Sequence, residues 1–239
     1  MGGWDPERLE SSAYRAAIGQ LLAQFMYGEE VSFTVAPAVM EHFEHDAEVV
    51  AALQQQLDDE KRHHGMFDEE RRRLNLPAVE PESGILDLGE RIYAMMRRRD
   101  LPGLIFAGSF MLEGLGFTTL SAYSEISEPG LAKVLTDIMA DEGRHITLNM
   151  RLMRRLLDAD PKIAYRLVEI HRETLPDLFK IYATKTDLAN EAGLDSEWLL
   201  TRSLFHHAQR VRRLRLPDDA AHALLEDGRR VLANLGKTS

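Results

Sequence analysis

The chain carries one charged pentad twice, as Asp59-Glu60-Lys61-Arg62-His63 and as Asp141-Glu142-Gly143-Arg144-His145. Residues three apart on a helix project from one face about a turn apart. Glu60 with His63, and Glu142 with His145, can therefore each grip a metal ion. A lone Glu-x-x-His is common, but two copies of Asp-Glu-x-Arg-His in 239 residues are a demanding pattern. Each copy has an acidic partner upstream: Glu30 lies 30 residues before Glu60, and Glu113 lies 29 before Glu142. The halves also keep register, with offsets of 83 from Glu30 to Glu113, 82 from Glu60 to Glu142 and 82 from His63 to His145. This spacing predicts two helical hairpins, each with one Glu on its first arm and Glu-x-x-His on its second.

A first turn near residues 44–46 and a second at Ser127-Glu128-Pro129-Gly130 place all six groups at one height, given a rise of about 1.5 Å per residue. The fold class read from this is all-α: a four-helix bundle with a dimetal core and additional C-terminal helices. The predicted ligand helices are 7–44, 46–75, 84–126 and 130–158, with a break at Asp100-Leu101-Pro102-Gly103 and kinks at Pro37 and Pro176. Covering helices are expected over 161–192, 195–215 and 218–235, the last with Ala221, Leu224, Leu225, Val231 and Leu232 as its apolar face. No linker divides the chain, so residues 1–239 read as a single domain.

Glu113 is the strongest single residue. It is the only charge between Leu104 and Leu120, and a buried carboxylate is costly unless it is paired or binds a metal. Glu30 is expected to interrupt a stripe of Ala17, Leu21, Gln24 and Tyr27, leaving Glu29 rotated by about 100° and solvated. Four carboxylates and two imidazoles suit iron or manganese, and they balance two divalent ions. Asp59 and Asp141 read as acceptors for the outer N–H groups of the ligand histidines. Tyr27, one turn from Glu30, is the nearest candidate for redox or hydrogen-bonding work. The remaining histidines, His171 and His207 among them, lack motif spacing and read as solvent or packing residues. Met26, Phe33, Phe106, Phe110 and Phe117 would make any pocket near the ligands apolar.

The ligand pattern resembles the ferritin-like diiron carboxylate oxygenase superfamily. Over roughly residues 10–215 the layout is most similar to the cyanobacterial aldehyde-deformylating oxygenases, including a break at Thr174-Leu175-Pro176 after the fourth ligand helix. The resemblance implies an O2-activating oxidoreductase of monooxygenase type. It would hold two iron ions, with a Mn/Fe pair as the alternative, and act on a mostly apolar small molecule. Two departures limit it. Leu120 stands where that family has a tyrosine seven residues after the third-helix Glu, and Arg71 stands where it has a cysteine. The first counts against a stable tyrosyl radical, and together they set a long-chain aldehyde apart from the general expectation. The alternative is ferritin-like iron oxidation or storage without an organic substrate, against which the extra helices after residue 160 argue.

Composition narrows the surroundings. The chain has no cysteine, so it forms no disulfide, thiolate metal site or cysteine-bound iron centre. A formal net charge of −10 argues against nonspecific nucleic-acid binding. No uncharged apolar run reaches 18 residues, and the start of the sequence lacks a signal-peptide pattern, so a cytoplasmic protein free of membrane is expected. Neither a flavin nor a nicotinamide motif is present, and electrons are expected from an external ferredoxin or flavin reductase. A monomer or homodimer is expected. Gly236-Lys237-Thr238 is no phosphate loop, since no strand precedes it.

Overall fold

The computed structural model describes residues 6–235; the side chains of 179, 182–189, 196, 200 and 231–235 lie outside the description. Val231, Leu232 and the segment 236–238 considered above therefore fall outside the described side chains. Among the described residues every regular element is helical. A 3₁₀ turn at Pro6–Glu10 precedes α1 (Ser12–His42), α2 (Ala47–Arg73), α3 (Ser83–Arg97) and α4 (Leu101–Ser124). Then come α5 (Pro129–Ala159), α6 (Ile163–Glu191), α7 (Ser196–Arg213) and α8 (Asp218–Leu235).

Local chemistry sets most boundaries. Ser11, Asp46, Asp100, Glu128 and Asp195 each accept a bond from a backbone N–H three residues on, capping α1, α2, α4, α5 and α7. Asn75, Arg99, Gly193 and Arg215 follow α2, α3, α6 and α7 in the left-handed conformation, with φ of 50°, 53°, 85° and 55°. After α2 the amides of Asn75 and Leu76 bond back to the carbonyls of Arg72 and Arg71. Both α1 and α6 run on through their prolines, Pro37 and Pro176.

The break near residue 100 is complete. The third ligand helix predicted over 84–126 is two helices, because Arg99 turns the chain and Asp100 caps a new one. The new helix, α4, is π-helical over Leu104–Glu113 and α-helical over Gly114–Ser124. It is long and apolar enough to span a membrane, yet 83% of its most apolar window is buried in the bundle, as a central core helix requires.

Helices α1 and α2 form one hairpin, and α4 and α5 the other; α1 also touches α4, and α2 touches α5, closing a four-helix bundle. Helix α3 lies on α1 and α6, while α6, α7 and α8 cover one flank. Ion pairs fasten this cover: Arg166 to Asp100 at 2.7 Å, Arg172 to Asp227 at 2.9 Å, and Arg91 to the buried Asp177.

The apolar interior falls into two clusters. One gathers Ile18, Leu22, Phe67, Leu131 and Leu135 at one end of the bundle. The other gathers Val35, Leu53, Leu104, Phe106 and Leu152 and continues into α3, α6, α7 and α8. Each such side chain, fully buried, contributes about 1.5–3 kcal/mol. Between the clusters, at the same level on four helices, lies a layer of buried charge.

Candidate metal centre

That layer holds Glu29 of α1, Glu60 and His63 of α2, Glu113 of α4, and Glu142 and His145 of α5. One potential ligand atom from each of Glu29, Glu60, His63 and Glu142 lies within 4.8 Å of the others. Nδ1 of His63 stands 3.4 Å from Glu60 Oε2, 3.4 Å from Glu142 Oε1 and 3.7 Å from Glu29 Oε1. Nδ1 of His145 stands 3.2 Å from Glu60 Oε1 and 3.8 Å from Glu142 Oε1. Glu60 and Glu142 thus lie between the two rings, whose centroids are 6.0 Å apart.

The residue on α1 differs from the expectation. Glu29, only 9% exposed, points into the layer, whereas Glu30, about 100° further round the helix, is exposed, with the half-buried Tyr27 nearby. Helical geometry gives the reason. The stripe read through Leu21, Gln24, Tyr27 and Glu30 advances three residues per step, and each such step falls about 60° short of a full turn. Nine residues from Leu21, Glu30 has drifted about 180° away. From the fully buried Leu22 to Glu29 is seven residues, about 20° short of two turns, so Glu29 continues the inward face. Tyr27, for the same reason, faces α3. A Cβ on Gly89 would collide with its phenol ring. Burial first, then the nearby Tyr93, Glu90 and Glu30, push its pKa up to about 12.

The two pentads interlock. Nε2 of His63 faces Asp141 Oδ2 at 3.1 Å, and Nε2 of His145 faces Asp59 Oδ2 at 3.2 Å. Each motif's aspartate thus serves the histidine of the other motif. Arg62 bonds Asp59 at 2.7 Å and Asp141 at 2.6 Å, while Arg144 bonds Asp141 at 2.5 Å and Asp59 at 3.2 Å. Two aspartates and two arginines close a ring of alternating charge over the outer edges of the imidazoles. With Nε2–H donated outward in the neutral rings, the Nδ1 lone pairs of both point at the carboxylates.

Gln56 and Asn149 complete the layer. The Gln56 amide donates to Glu113 Oε1 at 2.9 Å and Glu60 Oε1 at 3.2 Å, and Asn149 donates to Gln56 Oε1 at 3.1 Å. Sequence reasoning missed these residues and gave Arg62 and Arg144 no role. The signal was present: both arginines recur at one place in the pentad, Gln56 precedes Glu60 by one turn, and Asn149 follows His145 by one.

Four buried atoms of the layer have no hydrogen-bond partner: Glu60 Oε2, Glu113 Oε2, and Nδ1 of His63 and of His145. The carboxylates stand in one another's field. Burial, then the charge of Glu60, hold Glu29 and Glu113 well above the ordinary carboxylate range, and Glu142 above it as well. Burial opposes ionisation of Glu60, but His145 and His63 hold its pKa down. Burial likewise opposes charging of the histidines. For His63, Glu142, Glu29 and Glu60 prevail and push its pKa up to about 12; for His145, chiefly Glu60 does so, to about 9. Unpartnered ligand atoms, carboxylates crowded so closely that they resist ionising together, and oriented imidazoles are what a pair of divalent cations would satisfy, so the residues fit a dimetal group.

A cavity of about 50 Å³ adjoins Glu29, Glu113 and Glu142. Its apolar walls are Phe25, Ile85, Leu112, Leu115 and Leu120, with Gln24 and Ser32 as its other polar groups. None of Met26, Phe33, Phe106, Phe110 and Phe117 lines it. Gly28 and Gly116 border it, and a Cβ on either would meet nothing within 4 Å. Leu120 is thus a wall of the cavity. Arg71 is a helix-end residue, paired with Asp68 at 2.7 Å and bonded to the Leu76 carbonyl at 3.0 Å.

No protein-family model and no curated protein matches the chain. Solved structures do. One described as a protein with aldehyde deformylating oxidase activity from Synechococcus matches with a TM-score of 0.81 at 16% identity, covering 95% of this chain and 99% of that one. Two variants of an R2-like ligand-binding oxidase with a reconstituted Mn/Fe cofactor match at TM-scores of 0.74 and 0.75, each 18% identical. They cover 87% and 85% of this chain and 83% and 81% of their own. At these identities the likeness shows the fold, a ferritin-like helical bundle.

Proposed function

We propose that this chain is an O2-activating oxidoreductase. It holds two iron ions, or a Mn/Fe pair, between Glu29, Glu60, His63, Glu113, Glu142 and His145, and acts on a mostly apolar small molecule. The observation that carries this reading is the set of four buried, unpartnered ligand atoms in one layer of carboxylates and imidazoles, with an apolar-walled cavity beside Glu29, Glu113 and Glu142. The structural neighbours support it in kind, being an aldehyde deformylating oxidase and a Mn/Fe ligand-binding oxidase.

When bound, the metals supply electrons to O2 and a place for it to react. The chain's own residues do the rest. Glu60 and Glu142 each lie within 3.8 Å of Nδ1 of both histidines, and together with Glu29 and Glu113 they would hold the two ions. Asp141 and Asp59 fix the rings so that Nδ1 faces inward. Gln56 steadies Glu113 and Glu60 without adding charge. Phe25, Leu112, Leu115 and Leu120 exclude water and hold the apolar part of a substrate against Glu113 and Glu142. Electrons would enter from an external ferredoxin or flavin reductase.

The test is native mass spectrometry of anaerobically iron-loaded protein, followed by exposure to O2 with candidate apolar substrates. Two metals per chain are expected in the wild type and in Glu30→Gln, with loss in Glu29→Gln and in Glu113→Ala. Retention by Glu29→Gln together with loss in Glu30→Gln would overturn the ligand set. A 24-subunit cage that oxidises iron without organic product would replace the enzyme reading with iron storage.

A further inference from the structure

A second cavity lies apart from the carboxylate layer, between α4, α6 and α7, with a volume of about 40 Å³. Nothing in the reaction proposed above uses it. Its size is the first guide to what it can hold. A water molecule takes roughly 10–15 Å³ of such space, so about three water-sized groups fit. A diatomic gas enters with room to spare, and an organic chain does not.

Its surface is the second guide. Met111, Leu115, Leu175, Leu178 and Leu204 supply most of the wall. His171, Ser203, His207 and Arg210 also border the cavity, yet the surface it meets is almost wholly carbon. Their polar atoms are engaged or shut away. Nε2 of His171 and Nε2 of His207 face each other at 3.2 Å, so one ring donates to the other. Nδ1 of His171 and Oγ of Ser203 are buried and present almost no surface. Arg210 has a partner of its own, and its guanidinium lies 5.6 Å from the centre of the Phe110 ring. Burial holds both imidazoles below their usual pKa, so they stay neutral. A buried water needs about two to four polar partners, and here it would find almost none.

Position is the third. Leu115 is a wall of this cavity and of the one beside Glu29, Glu113 and Glu142. Arg210 borders both this cavity and an outer groove of about 510 Å³ between α5 and α7. Groove, second cavity and metal-side cavity thus stand in series, each sharing a wall residue with the next. We propose that the second cavity is a holding site for dioxygen, filled from the outer groove past Arg210 and emptied past Leu115 toward the carboxylate layer. A neutral diatomic gas needs no hydrogen-bond partner, and its transfer from water to an apolar space is favourable. A larger organic substrate cannot follow, so this path keeps the gas apart from it. The proposal rests on the oxygen-activating reading above and adds the path by which O2 arrives.

The experiment uses dioxygen itself as the probe. Its paramagnetism speeds the relaxation of nearby methyl groups, so methyl NMR of the metal-free full chain, under nitrogen and then under oxygen, reads where the gas collects. The methyls of Met111, Leu178 and Leu204 should gain at least about threefold more relaxation than those of Leu22 and Leu88, which are fully buried and border neither cavity. Leu204→Phe should fill the space and abolish that gain. In iron-loaded protein the same variant should keep two metals by native mass spectrometry and react with O2 more slowly by a similar factor in stopped flow. Leu178→Phe is the second filling variant if Leu204→Phe is overpacked and does not fold. If neither folds, the contrast between methyls within the wild type decides. A gain no larger than at Leu22 and Leu88, a bound water cross-relaxing with the cavity methyls instead, or an unchanged oxygen rate in a folded variant that has lost the gain would each overturn the path. A wild type that gathers O2 here yet binds no metal would sink the oxidoreductase reading and leave the gas site standing.

Discussion

Asp141→Asn keeps the shape of the side chain and removes the charge that His63 Nε2 meets at 3.1 Å. Read along the sequence, Asp141 belongs with His145, four residues on; the structure pairs it with His63 on another helix. The perturbation therefore separates a local reading from the interlocked one. Loss of a carboxylate that orients a ligating histidine costs roughly 10–100-fold in metal affinity, or about 1.4–2.7 kcal/mol at about 1.4 kcal/mol per decade. Arg62 and Arg144 keep Asp59 as a partner, so collapse of the ring should not swamp this effect. The assay is a double-mutant cycle on iron or manganese dissociation constants, combining Asp141→Asn and Asp59→Asn in turn with His63→Ala and His145→Ala. Asp141→Asn should be non-additive with His63→Ala and nearly additive with His145→Ala, and Asp59→Asn should show the reverse. Coupling of each aspartate to the histidine of its own pentad would refute the crossed geometry.

Gly28→Leu or Gly116→Leu should fill the cavity beside Glu113 and lower turnover of an apolar substrate at least about tenfold, while native mass spectrometry still finds two metals. Arg99→Gly should stabilise the fold by roughly 0.5–1 kcal/mol in urea melts, since Arg99 holds φ at 53° where glycine has no Cβ penalty. Burial holds the His171 pKa down at about 4. Below about pH 6.5 the unfolded chain takes a proton that folded His171 refuses until about pH 4, so stability is present above that window and falls by roughly 3 kcal/mol across it. In His171→Phe, denaturant midpoints should lose most of that slope between pH 6.5 and 4.

Much of the centre was legible because its information is local or repeated. Glu60, His63, Glu142 and His145 announce themselves by a spacing that only a helix face explains, and Glu113 by its isolation in an apolar stretch. Glu29 was not legible, because two adjacent glutamates differ by about 100° of rotation and the choice between them rests on the phase of the whole inward face. Leu22, Glu29 and Ala36, seven apart, carry that phase; steps of three through Gln24 and Tyr27 lose it. The offset of 83 for Glu30 lies so near the 82 of the pentads that spacing alone favours it over Glu29. The π-helical stretch before Glu113 adds to the difficulty, since a segment with bonds five residues back has no 3.6-residue stripe to read. The second cavity is a product of tertiary structure alone: His171 and His207 are 36 residues apart on different helices, and no spacing rule joins them.

The repeated pentad also explains how a buried layer so rich in carboxylates can exist before any metal arrives. In the metal-free chain the negative charge is met by protons. Glu29, Glu113 and Glu142 are held above the ordinary carboxylate range, and both histidines are driven toward their charged forms. Those protons sit on the atoms that would ligate, so loading must displace them, and metal affinity must fall as pH falls. The outer ring plays the opposite part. Burial works against ionisation of Asp59 and Asp141, yet Arg62, Arg144 and the histidines keep both below the usual carboxylate range, so they stay charged in either state. The protein thus confines the exchange of protons for metal to the inner carboxylates and Nδ1 atoms, and it holds the outer edge of each imidazole fixed while that exchange occurs. An isolated Glu-x-x-His could not do this, because it lacks the second aspartate and arginine that make the ring close.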